Sequence, residues 1–227
     1  MKIGILQTGL LPEALEKDFD SYPGMFETLL AGRGFAFQSW SVVEGEFPSG
    51  PEDADGWLIT GSRHGAYEDL PWIAPLEDLI RAIVLADRPL IGVCFGHQII
   101  AQALGGKVEK YAGGWSVGPT TYRFPDGPKT IQAWHQDQVT EAPEGAETVA
   151  SSDFCQYAAL LYPGKAYTVQ PHPEYGDAFI DGLIRTRGRG VVPDDQLDAA
   201  QGKLGTPLDR GALADQFARF FRERSLS

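Results

Sequence analysis

Residues 92–106 read Gly-Val-Cys-Phe-Gly-His-Gln-Ile-Ile-Ala-Gln-Ala-Leu-Gly-Gly, and this stretch decides the fold. The aliphatic run 89–93 suits a short buried strand. Residues 95–104 carry the longer apolar pattern of a helix, which Gly105 and Gly106 close. Between them, Gly92-Val93-Cys94-Phe95-Gly96 has the spacing of a nucleophile elbow with Cys in place of Ser. A strand that turns sharply into a helix brings its flanking backbone close, so a Cβ two positions either side of the central residue would clash. The turn lifts the Cys94 sulfur above the sheet and sets it at a helix N-terminus, where free N–H groups and the helix dipole favour a thiolate. The N–H of Phe95 then faces the place where an oxyanion would form. An isolated pattern of this kind also describes a buried core cysteine beside a glycine turn. The strand–turn–helix context favours the chemical reading.

Working outward toward the N-terminus, residues 2–7 predict a strand, 22–33 a helix, 35–43 a strand, 56–60 a buried strand and 72–87 an amphipathic helix. The Pro-, Gly- and acid-rich segment 47–55 predicts a loop. Strand and helix therefore alternate through the first hundred residues, which calls for a parallel sheet with helices on both faces. Beyond the elbow, short strand signals at 107–111, 120–124, 130–134, 148–150 and 166–170 predict a mixed sheet with a partly antiparallel extension. Helices are expected after Glu174. The polar segment 187–206 reads as a helical excursion or a mobile segment. A last helix over 211–222 buries Leu213, Phe217, Phe220 and Phe221. We expect a single α/β domain over residues 1–227.

Composition removes several function classes. Hydrophobic residues at 43% and charged residues at 22% suit an ordinary globular chain. A formal net charge of −12 argues against nucleic acid and anionic membrane surfaces, which need basic patches. No apolar run approaches the roughly 18 residues of a membrane span, and the N-terminus reads as a strand instead of an export signal. Cys94 and Cys155 lie far apart without a Cys-x-x-Cys spacing. A disulfide or a metal site is not expected, and a reducing cytoplasm is.

A base for Cys94 comes from Val169-Gln170-Pro171-His172-Pro173-Glu174. Residues two apart in extended chain project to the same side, so Glu174 can accept from one imidazole nitrogen of His172 while the other faces a sulfur. Pro171 and Pro173 keep the intervening backbone extended. Thiol, imidazole and carboxylate make a nucleophile, a base and an orienting third group. Of the other histidines, His97 on the helix after Cys94 packs or faces solvent. His64, in a polar loop, is a candidate substrate contact. His135, in Trp134-His135-Gln136-Asp137, is the rival base; it lacks the His-x-Glu spacing and ranks behind His172.

These segments together resemble the class I, triad-type glutamine amidotransferase family. The carriers are Leu-Ile-Thr-Gly-Ser (58–62), the elbow with its helix, Trp-His-Gln-Asp-Gln-Val (134–139) and Gln-Pro-His-Pro-Glu-Tyr (170–175). The chain is most similar to the free-standing subgroup, the glutaminase domain of GMP synthase and the γ-glutamyl peptidases. The resemblance implies a flavodoxin-like sheet, with Cys94 as nucleophile, His172 as base and Glu174 as orienter. It implies oxyanion donors at Gly61 and Phe95, a substrate contact from Gln98, and backbone contacts from Trp115, Ser116 and Val117. It also implies hydrolysis of a γ-glutamyl amide through a Cys94 thioester, with no cofactor and no metal.

Where many synthetase-linked members carry Gly-Gly-Pro, this chain has Gly61-Ser62-Arg63-His64. Arg63 can engage a carboxylate on the leaving group, or lie solvated beside Glu68 or Asp69. Two enzyme readings stay open. In one the amide is glutamine and ammonia passes to a separate synthetase chain, since no second domain and no nucleotide-binding signature is present. In the other the substrate is a γ-glutamyl peptide. A non-catalytic binding protein on the same scaffold is a third reading, which the intact Cys, His and Glu set disfavours.

Overall fold

A computed structural model describes residues 1–226. Among them, a seven-stranded sheet runs in the order β2 (Ala36–Trp40), β1 (Lys2–Leu6), β3 (Gly56–Ile59), β4 (Leu90–Val93), β11 (Ala166–Val169), β10 (Ala159–Tyr162) and β9 (Glu147–Ala150). The five strands from β2 to β11 are parallel, and β10 and β9 extend the sheet antiparallel. This is the α/β architecture with the antiparallel extension that the alternating pattern predicts.

Side-chain alternation along the parallel strands builds two cores. Ile3, Ile5, Leu58, Ile91 and Val93 face one layer, which α1 (Tyr22–Leu29) and α6 (Arg210–Glu223) cover with Phe26, Phe217 and Phe220. Leu6, Trp57, Ile59 and Leu90 face the other, which α2 (Ile73–Leu85) and α3 (Phe95–Ala103) cover with Leu76, Ile80, Ile99 and Ile100. Strands buried on both faces read as continuous apolar runs, as in parallel sheets generally.

Two antiparallel pairs stand apart from the main sheet. One pairs β5 (Lys107–Lys110) with β8 (Asp137–Glu141), and the other pairs β6 (Ser116–Phe124) with β7 (Gly127–His135). The sequence pattern anticipates β5, β9, β11 and the interiors of β6 and β7. It does not anticipate β8 or β10, which are short and have turn residues only on their C-terminal side. The helix expected over 22–33 stops at Leu29, and the strand expected over 35–43 is confined to Ala36–Trp40. The polar segment beyond residue 187 contains α5 (Asp194–Gly202), which resolves it as a helical excursion. α4 (Asp177–Leu183) runs into a π-helical turn, Ile184–Gly188. A third apolar cluster, with Tyr22, Tyr175, Phe179, Leu183 and Leu197, joins α1, α4 and α5 above the sheet. No helix among the described residues is long and apolar enough to cross a membrane.

Candidate active site

The carboxyl ends of β3, β4 and β11 meet at one point, where open α/β sheets hold their ligands. Register sets this up. Ile59 lies opposite Gly92 and Val93 opposite Val169, so the three chains leave the sheet side by side. The N–H of Cys94 donates to the Val169 carbonyl at 2.9 Å, and the N–H of Gly96 donates to the Thr60 carbonyl at 3.2 Å.

Cys94 has φ 52° and ψ −104°, a conformation that a residue with a Cβ rarely takes and that costs about 1–3 kcal/mol. The flanking glycines show why the elbow needs them. A Cβ on Gly92 would lie 2.5 Å from the Gly96 carbonyl oxygen, and one on Gly96 would lie 2.3 Å from the Ile59 carbonyl oxygen. Neither fits. Cys94 is buried and stands at the start of α3.

His172 meets it from the segment that follows β11. Its backbone N–H donates to the Gln132 carbonyl at 2.8 Å, which ties the His-Pro-Glu segment to β7. Its Nδ1 lies 2.7 Å from Glu174 Oε1, and its ring shares the cleft with the Cys94 side chain. His172 and Glu174 are both buried. Burial pushes the His172 pKa down, but the charges of Glu174 and Cys94 and their hydrogen bonds outweigh it and raise the pKa to about 10. The Glu174 carboxylate beside the ring therefore favours its protonated form.

Gly61 packs against both. A Cβ there would sit 3.0 Å from His172 Cε1 and 3.8 Å from Cys94 Cβ. The Thr60 carbonyl is fixed by the Gly96 N–H and by the Thr8 hydroxyl at 2.9 Å, and the Gly61 carbonyl accepts from the Thr8 and Thr60 hydroxyls at 3.2 and 3.1 Å.

The other expected site residues take varied places. Gln98 lines the cleft at Cys94 and uses its amide NH2 on the Asp137 carbonyl (2.8 Å) and Gln170 Oε1 (3.1 Å). Trp115 lines the cleft, while Ser116 and Val117 are the first residues of β6, opposite His135 and Trp134. The Phe95 ring points away into the core, against Trp72. Arg63 is exposed at the rim. Glu68, its nearest acidic neighbour in sequence, instead accepts from the Gly65 N–H at 2.8 Å and meets His64 Nδ1 at 3.1 Å.

Of the remaining histidines, His97 is fully buried with Nδ1 2.8 Å from the Thr168 hydroxyl, and packs as expected. His135 is buried beside His172. Burial is the main cause that lowers the pKa of both His97 and His135 to about 3, so both are neutral. Cys155 lies in the loop between β9 and β10, bonded to Ser152, and burial pushes its thiol up to about 12.

The cleft above Cys94 has a volume of about 220 Å³ and two unlike ends. Arg63, Tyr67, Glu68, Lys110 and Asp137 form the polar end, where Asp137 has its pKa raised, chiefly by burial. Tyr22, Trp115, Trp134, Tyr175, Leu183 and Arg187 form the aromatic end.

Sequence reasoning misses several supporting groups. The Tyr175 ring stacks on His172, with centroids 4.0 Å apart and planes 6° apart. Tyr175 follows the His-Pro-Glu run directly, so its position was available as a signal. Arg210 at the start of α6 donates to the Pro173 carbonyl (2.7 Å) and the Glu174 carbonyl (2.9 Å). No local pattern marks that contact across 36 residues. No group of three or more His, Cys, Asp or Glu side chains able to hold a metal ion occurs among the described residues.

Comparison with known proteins bears on the family and the fold. The chain is 31% identical over 209 residues to γ-glutamyl peptidase 4 of Arabidopsis thaliana, covering 85% of this chain and 83% of that one. It is 36% identical over 132 residues to one of the subunits of the glutamine-hydrolysing GMP synthase of Methanocaldococcus jannaschii, covering 52% and 70%. The crystal structure of a glutamine amidotransferase from Methylobacillus flagellatus superposes with a TM-score of 0.77 over 97% of this chain and 92% of that one, at 22% identity, which speaks to the fold. The sequence profile of the class-I glutamine amidotransferases matches residues 48–178, from the loop before β3 through the His-Pro-Glu segment. The chain belongs to the glutamine amidotransferase class-I family.

Proposed function

We propose that this protein hydrolyses γ-glutamyl amides through a Cys94 thioester, with γ-glutamyl peptides as its own substrates. One observation carries the chemistry: a buried imidazole bonded on one nitrogen to Glu174 at 2.7 Å and set in the same cleft as the Cys94 thiol, which stands at a strained elbow. The Cys94 sulfur attacks the γ-carbonyl carbon, and the oxyanion takes the Phe95 and Gly61 N–H groups. His172 donates its proton to the leaving nitrogen, the C–N bond breaks, and a γ-glutamyl thioester remains. His172 then removes a proton from water, which attacks the thioester and releases glutamate. Loss of one oxyanion donor typically costs about 10²–10³ in rate. No step calls for a metal or an organic cofactor.

The polar end of the cleft suits the glutamyl head. Asp137 and Glu68 present carboxylates to its ammonium, and Lys110 faces its carboxylate. Gln98 orients the head. Arg63, exposed at the rim, draws in an anionic substrate and acts under screening. The whole chain acts as one working domain in a reducing cytoplasm, where the Cys94 thiol stays free.

A second reading, supported by the likeness to the GMP synthase chain, is a glutaminase that hands ammonia to a separate synthetase. Glutamate release from glutamine and from γ-glutamyl dipeptides separates the two, measured with and without cell extract. The expected result is faster release from dipeptides by the purified chain, with none from the Cys94→Ala protein. Turnover of glutamine alone, rising with extract, would return the protein to the partner-dependent class. A diazoketone analogue of glutamine should label Cys94 and spare Cys155.

A further inference from the structure

The aromatic end of the cleft holds a cation that the glutamyl head and the catalytic steps do not use. Three arginines follow one another along the π-helical turn and its exit. Arg185 is exposed and pairs with Asp181 at 2.8 Å. Arg189 is exposed and pairs with Asp194 (2.9 Å) and Asp198 (2.6 Å). Arg187 between them is half-buried, lines the cleft, and has no ion pair among the described residues. π-turns rotate side chains relative to an α-helix and recur at functional sites. Here the turn separates the face that carries Arg187 from the solvent-facing pairs.

The position of Arg187 relative to the chemistry is also fixed. His172 delivers the proton to the leaving nitrogen, so the leaving group departs on the His172 side of Cys94. That side continues through Tyr175, stacked on His172, to Tyr22, whose ring lies 6.3 Å from that of Tyr175 and which feels the Arg187 charge. Trp115 and Trp134 stand edge to face across this end, 6.5 Å between centroids, and Leu183 closes it. Trp134 is itself held, because a Cβ on Gly188 would meet its ring at 3.2 Å. A lone guanidinium among aromatic and aliphatic walls recognises one anion attached to an apolar body.

Building on the γ-glutamyl peptidase reading, we infer that the leaving group is an amino acid with an aromatic or large aliphatic side chain, its free carboxylate held by Arg187 and its side chain packed on Trp115 and Trp134. Glutamine, whose leaving group is ammonia, leaves this end empty. Arg63 at the opposite rim does not grip the leaving group.

The test uses the purified full chain and four substrates: γ-glutamyl-phenylalanine, γ-glutamyl-phenethylamide (the same ring without the carboxylate), γ-glutamyl-glycine and glutamine. γ-Glutamyl-phenylalanine is expected to give the highest kcat/KM. Arg187→Gln should lower it for that substrate by about ten- to a hundred-fold, the loss of a charge-assisted hydrogen bond. It should leave γ-glutamyl-phenethylamide and glutamine within about two-fold. Unchanged turnover of those two also establishes that the variant folds, and Arg187→Lys should restore part of the loss. Equal losses on phenylalanine and phenethylamide substrates, or a preference for γ-glutamyl-glycine, would overturn the inference while leaving γ-glutamyl hydrolysis intact. Failure of the wild-type chain to cleave any of the three γ-glutamyl amides other than glutamine would overturn the underlying peptidase reading and the inference with it.

Discussion

At the scale of single residues, the site is governed by what surrounds one imidazole. Burial alone would strip the proton from His172, as it does from His97 and His135. Glu174 and Cys94 reverse the outcome and raise the pKa to about 10. In the proposed mechanism His172 carries a proton to the leaving nitrogen, so the alkaline limb of kcat/KM should lie near pH 10 in the wild-type protein. Glu174→Gln removes the largest raising cause. It should leave measurable turnover and move that limb to lower pH, whereas His172→Ala should abolish turnover. A limb that stays in place in Glu174→Gln would detach Glu174 from the base. The spacing of His172 and Glu174 was legible in the sequence because extended chain puts alternate residues on one side. The state of His135 was not, because its neutrality depends on how deeply β7 is buried.

At the scale of elements, β4 and α3 explain themselves and the His-Pro-Glu segment does not. The elbow carries its own instructions in Gly92 and Gly96, whose missing Cβ atoms admit the close backbone contacts. The segment after β11 depends on elements remote in sequence. β7 holds it through Gln132, and α6 clamps it through Arg210. α6 is itself stitched to β7, since Thr130 N–H donates to Asp209 Oδ2 at 2.7 Å and Asp209 N–H donates to the Thr130 carbonyl at 2.8 Å. Arg210 touches neither Cys94 nor substrate, so it is a positioning residue. Arg210→Ala frees two carbonyls and loosens the loop that carries base and orienter. kcat should fall about ten- to a hundred-fold, as expected for small misplacement of reacting groups, with KM little changed. Arg210→Lys should recover part of the loss by donating to one carbonyl. A fall in thermal stability with kcat unchanged would make the clamp purely structural.

At the scale of the whole molecule, the buried neutral histidines couple folding to pH. His97 and His135 take up a proton near pH 6.5 when unfolded but only at about 3 when folded. Their contribution is full above pH 6.5 and is lost as pH falls toward 3, at about 1.4 kcal/mol per pH unit for each group. His172 has the opposite sign. Its contribution is full below pH 6.5 and is lost as pH rises toward 10, so it does not offset the acid loss. Urea unfolding should therefore show stability dropping between about pH 6.5 and 5, above the range where most carboxylates titrate. His97→Gln should flatten that slope by about half; identical slopes in both proteins would remove this account. The sequence by itself determined the parallel α/β core, the elbow and the Cys94, His172 and Glu174 set. Each of these rests on local spacing: glycines two residues either side of a thiol, a histidine and a glutamate two apart, and apolar runs the length of a strand. Only the tertiary structure decided that Tyr22 from the first helix, Tyr175 and Arg187 share one end of the cleft, and that Arg210 from the last helix holds the triad loop. Those contacts join residues far apart in the chain, and the crossovers of the parallel sheet, which no local pattern encodes, are what bring them together.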